Sequence, residues 1–113
     1  MKFILSKKDI IGLNQQFDIG KLHNEASLDF ALSYAKNSNN WVKSLAYLTR
    51  AILIDHVFEE GNKRTVALLI KTYVELEGYK IYNDKIVKLV TEIILRNLTS
   101  IKRIEGMIEN AIK

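Results

Sequence analysis

The apolar residues of this chain recur at intervals of three and four positions, which places them on one face of an α-helix. Segments with this spacing are separated by short clusters of Asn, Ser, Gly and charged residues. There is no Pro, so Gly, Asn and polar clusters must end the helices. The pattern predicts an all-α protein, a compact bundle of about six helices joined by short connections.

Polar residues that favour the N-cap position mark most of the expected helix starts. Residues 2–5 are predicted to be a short extended segment and residues 18–23 a loop. In chain order, the expected helices are one capped by Ser6 whose apolar stripe is interrupted at Gly12, one capped by Asn24, one over about 41–55, one over about 62–77 that Gly78 ends, one capped by Asn83, and one capped by Thr99 or Ser100. The third is apolar on most of its sides, so it is expected at the centre of the bundle. The apolar stripes include Phe17 in the first helix and Val87 in the fifth.

Length and composition narrow the class of protein. The 113 residues suit a single domain, 1–113, with one core. No run approaches the roughly 20 apolar residues of a membrane span, and MKFILSKKD holds only three consecutive apolar residues, too few for a signal peptide. The absence of Cys excludes disulfides, thiolate–zinc sites and a thiol nucleophile. We therefore expect a cytoplasmic protein with no membrane partner.

The net charge of the chain indicates what kind of ligand or partner it binds. The formal charge of +4, from 17 Lys and Arg against 13 Asp and Glu, suits an anionic ligand or partner. No long basic run accompanies this charge, so nucleic acid is not the expected partner.

The candidate chemistry lies in ten residues between the third and fourth helices, HVFEEGNKRT, from His56 to Thr65. A polar loop between two buried helices can hold catalytic groups in place. Gly61 allows a turn with positive φ or the close approach of a ligand. The first amides of the next helix lack intrahelical partners and favour an anion such as phosphate. Lys63 and Arg64 oppose the helix dipole at this end, which suggests that an anion usually binds there.

Asn62 is the expected N-cap of the fourth helix. Two further residues of the loop, Glu60 and His56, suit the transfer of a phosphoryl or nucleotidyl group. Glu60 beside a polyphosphate would be unfavourable without a cation between them, and Mg²⁺ takes one or two carboxylates plus phosphate oxygens. His56 can accept the proton of an attacking hydroxyl near neutral pH. A base, a metal ligand and a phosphate site so close together indicate phosphoryl or nucleotidyl transfer.

These ten residues resemble the signature of the Fic/Doc (Fido) superfamily, HxFx[DE]GN[GK]R, and the likeness extends over roughly residues 20 to 112. The resemblance implies a Fido fold with the active-site loop between two central helices. It implies that His56 is the general base for a hydroxyl on a target protein, that Phe58 anchors the loop in the core and that Glu60 binds Mg²⁺.

The resemblance also implies which residues bind the phosphate groups. Gly61 and Asn62 would cradle phosphate through backbone and amide groups, and Arg64 would hold another phosphate of ATP or another nucleoside triphosphate. Lys63 stands where AMP-transferring members carry a second Gly, and Ala67 where they carry a second Arg. Both changes resemble the Doc (death-on-curing) branch, in which they accompany transfer of the terminal phosphate. Lys63 would fill space that Gly leaves to the distal phosphates.

The resemblance therefore implies a Mg²⁺-dependent and nucleotide-dependent transferase that phosphorylates a protein hydroxyl. No self-inhibition motif [ST]xxxE[GN] is present, because Ile101 stands four residues before Glu105. A toxic activity would then need a separate antitoxin chain. Two alternatives stay open: an AMP-transferring Fic protein, and an inactive Fido-fold module that binds proteins or forms a homo-oligomer. Residues 18–24 are the expected flap that positions the target.

Overall fold

The computed structural model describes residues 5–112, so the extended segment predicted for residues 2–5 lies outside the described chain except for Leu5. Six helices make up most of the described residues, which confirms the predicted all-α bundle. They are α1 (Lys7–Asn14), α2 (Glu25–Asn37), α3 (Trp41–Leu53), α4 (Asn62–Leu76), α5 (Asn83–Arg96) and α6 (Ile101–Ala111). The radius of gyration is 12.6 Å, close to the roughly 13 Å expected of a compact chain of this length.

Helix α3 lies at the centre, as its apolar sequence predicts. It packs against α2, α4 and α6, while α1 packs on α4 and α5 contacts both α4 and α6. Eight of its 13 residues are buried: Ser44, Leu45, Ala46, Leu48, Thr49, Ala51, Ile52 and Leu53. Burying one Leu or Ile side chain contributes about 1.5–3 kcal/mol. The loop that follows α3 therefore starts from a firmly packed element.

Side-chain caps start three of the helices where the sequence predicts them. Ser6, Asn24 and Ser100 cap α1, α2 and α6, and each accepts a hydrogen bond from the backbone N–H three residues on. At α1 the carboxylate of Asp9 also accepts a hydrogen bond from the Ser6 N–H, which completes a capping box. Each such cap typically contributes about 1 kcal/mol.

Two of the predicted helix caps are wrong. Asn62 and Asn83 are the first residues of α4 and α5, and Gly61 and Tyr82 occupy the N-cap positions. The ends of α3 and α4 lie within two residues of the approximate positions that the sequence predicts.

Two residues expected in the core are exposed instead. Phe17 follows the end of α1 and is 40% exposed, and Val87 is 61% exposed. The buried side of α5 is formed by Ile86, Leu89, Val90 and Ile93. Because successive helix residues are about 100° apart, Val87 projects away from that side. None of the helices in the described part of the chain combines the length and apolarity needed to cross a membrane.

Candidate active site

The loop between α3 and α4 is anchored by two apolar residues. Val57 is 0% exposed and Phe58 1% exposed, and both belong to the hydrophobic core. His56, Glu59 and Glu60, on either side of this pair, are exposed. Because the apolar pair is buried, the path of the loop is determined and the polar side chains are held at the surface.

The loop also pairs with the segment that precedes α2. The Val57 carbonyl accepts hydrogen bonds from the N–H groups of His23 (2.7 Å) and Asn24 (3.1 Å), and the Glu59 N–H donates to the Lys21 carbonyl (3.0 Å). The Lys21 ammonium lies 3.4 Å from the Glu59 carboxylate. Residues 21–24 of the segment expected to be a target-positioning flap are thus joined to the loop, and the contact of this segment with a target stays a prediction.

Asn62 closes the loop from the other end. Its Oδ1 accepts a hydrogen bond from the Phe58 N–H (3.0 Å), and its Nδ2 donates to the Phe58 carbonyl (2.9 Å). Both ends of the side-chain amide are therefore engaged within the loop. This leaves the second Nδ2 hydrogen and the backbone N–H of Asn62 for a ligand. The same clamp explains why Asn62 does not cap α4.

Position 61 requires Gly because of its backbone conformation and because neighbouring atoms lie close to it. Its φ is +79°, in the left-handed region that favours Gly. A Cβ added there would lie 3.1 Å from Asn14 Nδ2 and 3.5 Å from Asp18 Cβ. Gly61 provides no side-chain cap, so the first N–H groups of α4 are open to an anion.

His56 is also held in the left-handed region, with φ of +54°. This conformation costs a non-Gly residue roughly 1–2 kcal/mol, so it persists only where the surroundings impose it. Before His56, the Asp55 carbonyl accepts a hydrogen bond from Asn24 Nδ2 (3.1 Å) and the Asp55 carboxylate accepts one from the Ser27 hydroxyl (2.6 Å). After it, the Val57 carbonyl is held as described above. The backbone on both sides of His56 is therefore fixed to the start of α2.

A cleft of about 590 Å³ collects the candidate residues. It is lined by His56, Glu60 and the residues 61–64, with Phe17, Leu53 and Ile94 as an apolar part of its wall. His56 and Glu60 also border a second concavity of about 440 Å³, together with His23, Phe58 and Glu59. The structure thus brings the predicted base, metal ligand and phosphate-binding residues to one place, while Phe58 lies beneath the loop.

The cleft carries charges of both signs. Lys63 and Arg64 line it together with Asp18, Glu59 and Glu60. Within residues 5–112, no carboxylate lies within 4.0 Å of either of these two cations, whereas Glu59 is paired with a Lys. A polyphosphate alone would therefore meet repulsion from carboxylates as well as attraction.

A divalent cation would relieve that repulsion. Over residues 5–112, no three His, Asp or Glu side chains are grouped closely enough to form a metal site by themselves. Mg²⁺ commonly takes one or two carboxylates and completes its shell with phosphate oxygens and water. Glu60 is exposed on the cleft beside the open start of α4, so it fits this shared mode of binding and not a protein-only site.

Asn14, which was not predicted to belong to the site, is a fully buried residue that contacts the loop. Its Nδ2 donates to the Glu60 carbonyl (2.9 Å) and to the Thr65 hydroxyl (3.0 Å), and its Oδ1 accepts from the Gly20 N–H (2.8 Å). One signal was present: Asn14 follows Ile10 by four positions, so it is a polar residue on the apolar stripe of α1.

Comparison of the chain with protein-family models, with curated proteins and with solved structures found no match. The resemblance to the Fic/Doc superfamily therefore rests on the sequence alone, and the geometry described above is the independent basis for a proposal about function.

Proposed function

We propose that this protein is a Fic/Doc-type transferase that uses a nucleoside triphosphate and Mg²⁺ to phosphorylate a hydroxyl group of a target protein. The observation that carries the proposal is the shared cleft, which is lined by His56, Glu60 and the uncapped start of α4 with Lys63 and Arg64. An imidazole that can accept a proton, a carboxylate suited to Mg²⁺ and open amides suited to phosphate are the groups that this transfer requires.

In the proposed reaction, the acceptor oxygen forms a bond to the terminal phosphorus of the nucleotide. The bond from that phosphorus to the bridging oxygen breaks, and the nucleoside diphosphate leaves. His56 takes the proton of the acceptor hydroxyl on an imidazole nitrogen and passes it to water. The backbone N–H groups of residues 62–64 and the side chains of Lys63 and Arg64 hold the phosphate oxygens. Glu60 would hold Mg²⁺, which supplies charge neutralisation at those oxygens.

Two residues favour phosphate transfer over AMP transfer. Lys63 is exposed on the cleft, where a long cation takes up space beside the phosphates. Ala67 is half-buried against the core and does not line the cleft. Position 67 of α4 therefore supplies no second Arg for the phosphates. An antitoxin chain and a cytoplasmic location belong to the same proposal.

The proposal is tested with ATP labelled on its α-phosphate or on its γ-phosphate, with Mg²⁺, the purified chain and a cell lysate. We expect the purified chain to add γ-label, and not α-label, to a protein in the lysate beyond the uptake in lysate alone, and His56→Ala to abolish this added uptake. Added uptake of the α-label would identify an AMP transferase. Added uptake of the γ-label that persists in His56→Ala would refute the assigned base.

Binding is tested separately, without a target. A ligand present at 100 times its Kd stabilises the folded state by about 2.7 kcal/mol. We expect ATP with Mg²⁺ to raise the melting temperature, and chelation of Mg²⁺ to remove most of the rise. Lys63→Ala should weaken binding at least tenfold, since a hydrogen bond to a charged group contributes roughly 1.5–3 kcal/mol. Lys88→Ala, an exposed Lys outside the cleft, is the matched control. If no nucleotide raises the melting temperature, the hypothesis of an inactive protein-binding module is favoured.

A further inference from the structure

Asn14 is a buried amide whose hydrogen bonds converge on the candidate site. It is the last residue of α1, is 0% exposed and has hydrogen-bond partners at both ends of its side chain. Its two donated bonds go to the Glu60 carbonyl and the Thr65 hydroxyl, and its accepted bond comes from the Gly20 N–H. An unpaired buried amide is destabilising, so this side chain cannot readily exchange its partners.

Thr65 extends the same network to the next peptide group. It is 0% exposed, and its hydroxyl donates to the Gly61 carbonyl at 2.7 Å. The carbonyls of Glu60 and Gly61, which are the two peptide oxygens on either side of the Gly61 Cα, are therefore both bound by buried side chains. Asn14 binds the first directly and supports the second through Thr65.

Because the peptide group is planar, fixing these two carbonyls also fixes the direction of the N–H groups at the ligand site. In a trans peptide the N–H points opposite to the C=O of the same plane. With the Glu60 and Gly61 carbonyls bound to buried groups, the N–H groups of Gly61 and Asn62 are directed away from the interior. Both of these residues line the cleft. A phosphate in the cleft would then meet N–H donors and not carbonyl oxygens.

Gly61 makes this orientation dependent on Asn14. Rotation of the Glu60–Gly61 peptide by half a turn changes mainly the ψ of Glu60 and the φ of Gly61. Gly populates positive and negative φ about equally, so Gly61 by itself does not prevent the rotation. We infer that Asn14 is a positioning residue that locks the Glu60–Gly61 peptide with its N–H toward the cleft, and that loss of the lock lets a carbonyl face the phosphate. This inference rests on the proposed function.

The test measures binding of inorganic pyrophosphate with Mg²⁺ by calorimetry, at a temperature where every variant is folded. Asn14→Leu removes the amide and keeps the branched shape of the side chain, and Thr65→Val removes only the hydroxyl that accepts a hydrogen bond from Asn14 Nδ2. We expect each to weaken binding at least tenfold. Thr65→Ser keeps the hydroxyl and should stay within twofold of the wild type. If Asn14→Leu does not fold, the Thr65 pair decides alone.

Ser44→Ala is the matched control for lost stability. Ser44 is also buried, and its hydroxyl donates to the Asn40 carbonyl (3.1 Å) at the start of α3, outside the cleft. It should lose stability and keep its affinity for pyrophosphate. If Asn14→Leu and Thr65→Val bind pyrophosphate as tightly as the wild type does, the inference is overturned and the proposed function still stands. A wild type that binds neither pyrophosphate nor ATP with Mg²⁺ would overturn both.

Discussion

Replacing Gly61 with Ala tests the geometry of the loop without any assumption about activity. The new Cβ meets two obstacles, the positive φ of +79° and the Asn14 Nδ2 at 3.1 Å. Gly78 provides the matched control, because its φ is +89° and nothing lies within 4 Å of an added Cβ. The difference between the two Ala variants therefore isolates the contact with Asn14.

The expected magnitudes follow from these two obstacles. A left-handed Ala costs about 1–2 kcal/mol, and the reduced freedom of the unfolded chain returns about 0.5–1 kcal/mol. Gly78→Ala should thus lose about 1 kcal/mol. In Gly61→Ala the Asn14 amide must also shift, which weakens its bonds to the Glu60 carbonyl and the Thr65 hydroxyl at about 1 kcal/mol each. Gly61→Ala should then lose about 2–3 kcal/mol.

Urea denaturation measures both free energies of unfolding by linear extrapolation. The same two substitutions are then made in an Asn14→Ala background, where the contact is absent and the excess cost of Gly61→Ala should disappear. Equal losses in the two single variants, within about 0.5 kcal/mol, would show that Asn14 is not fixed beside Gly61. That result would also remove the structural basis for its role as a positioning residue.

Three further predictions concern the loop and α1. His56→Gly should be more stable than His56→Ala by about 1 kcal/mol, reversing the usual order, because Gly adopts a φ of +54° without strain; urea titration showing Ala as the more stable would argue against a left-handed His56. Phe58→Ala should lose about 3–5 kcal/mol in the same assay, since the ring is 1% exposed, and a loss below 1 kcal/mol would argue against its role as an anchor. The backbone N–H of Ser6, and then its hydroxyl, lower the pKa of Asp9 below its usual 3.8. The Asp9 contribution to stability should therefore be present above about pH 4 and lost as the pH falls further, so thermal melts of Asp9→Asn and the wild type should converge in acid.

The helices and most of their caps could be predicted from the sequence because they depend on neighbours within four residues. The Ser6 and Ser100 caps each bind a backbone N–H three positions away, and the apolar stripes repeat with the helical period. The central place of α3 was also predictable, since a helix that is apolar on most sides can only be covered by other helices. The errors at Asn62 and Asn83 show the limit of this local reasoning. An Asn near a helix start was read as a cap, although at position 62 the side chain binds the Phe58 backbone instead.

The candidate site was visible in the sequence because its polar groups are contiguous, from His56 to Arg64. Tertiary structure decided how those groups are oriented. Asn14 reaches the Glu60 carbonyl across 46 positions of sequence, and the pairing of residues 21–24 with 57–59 helps to impose the left-handed backbone of His56. Such contacts have no local signature, because they form only where the packing of α1, α3 and α4 brings distant peptide groups within hydrogen-bond distance. The residues of the site are thus a local property of this chain, and their geometry is a property of its core.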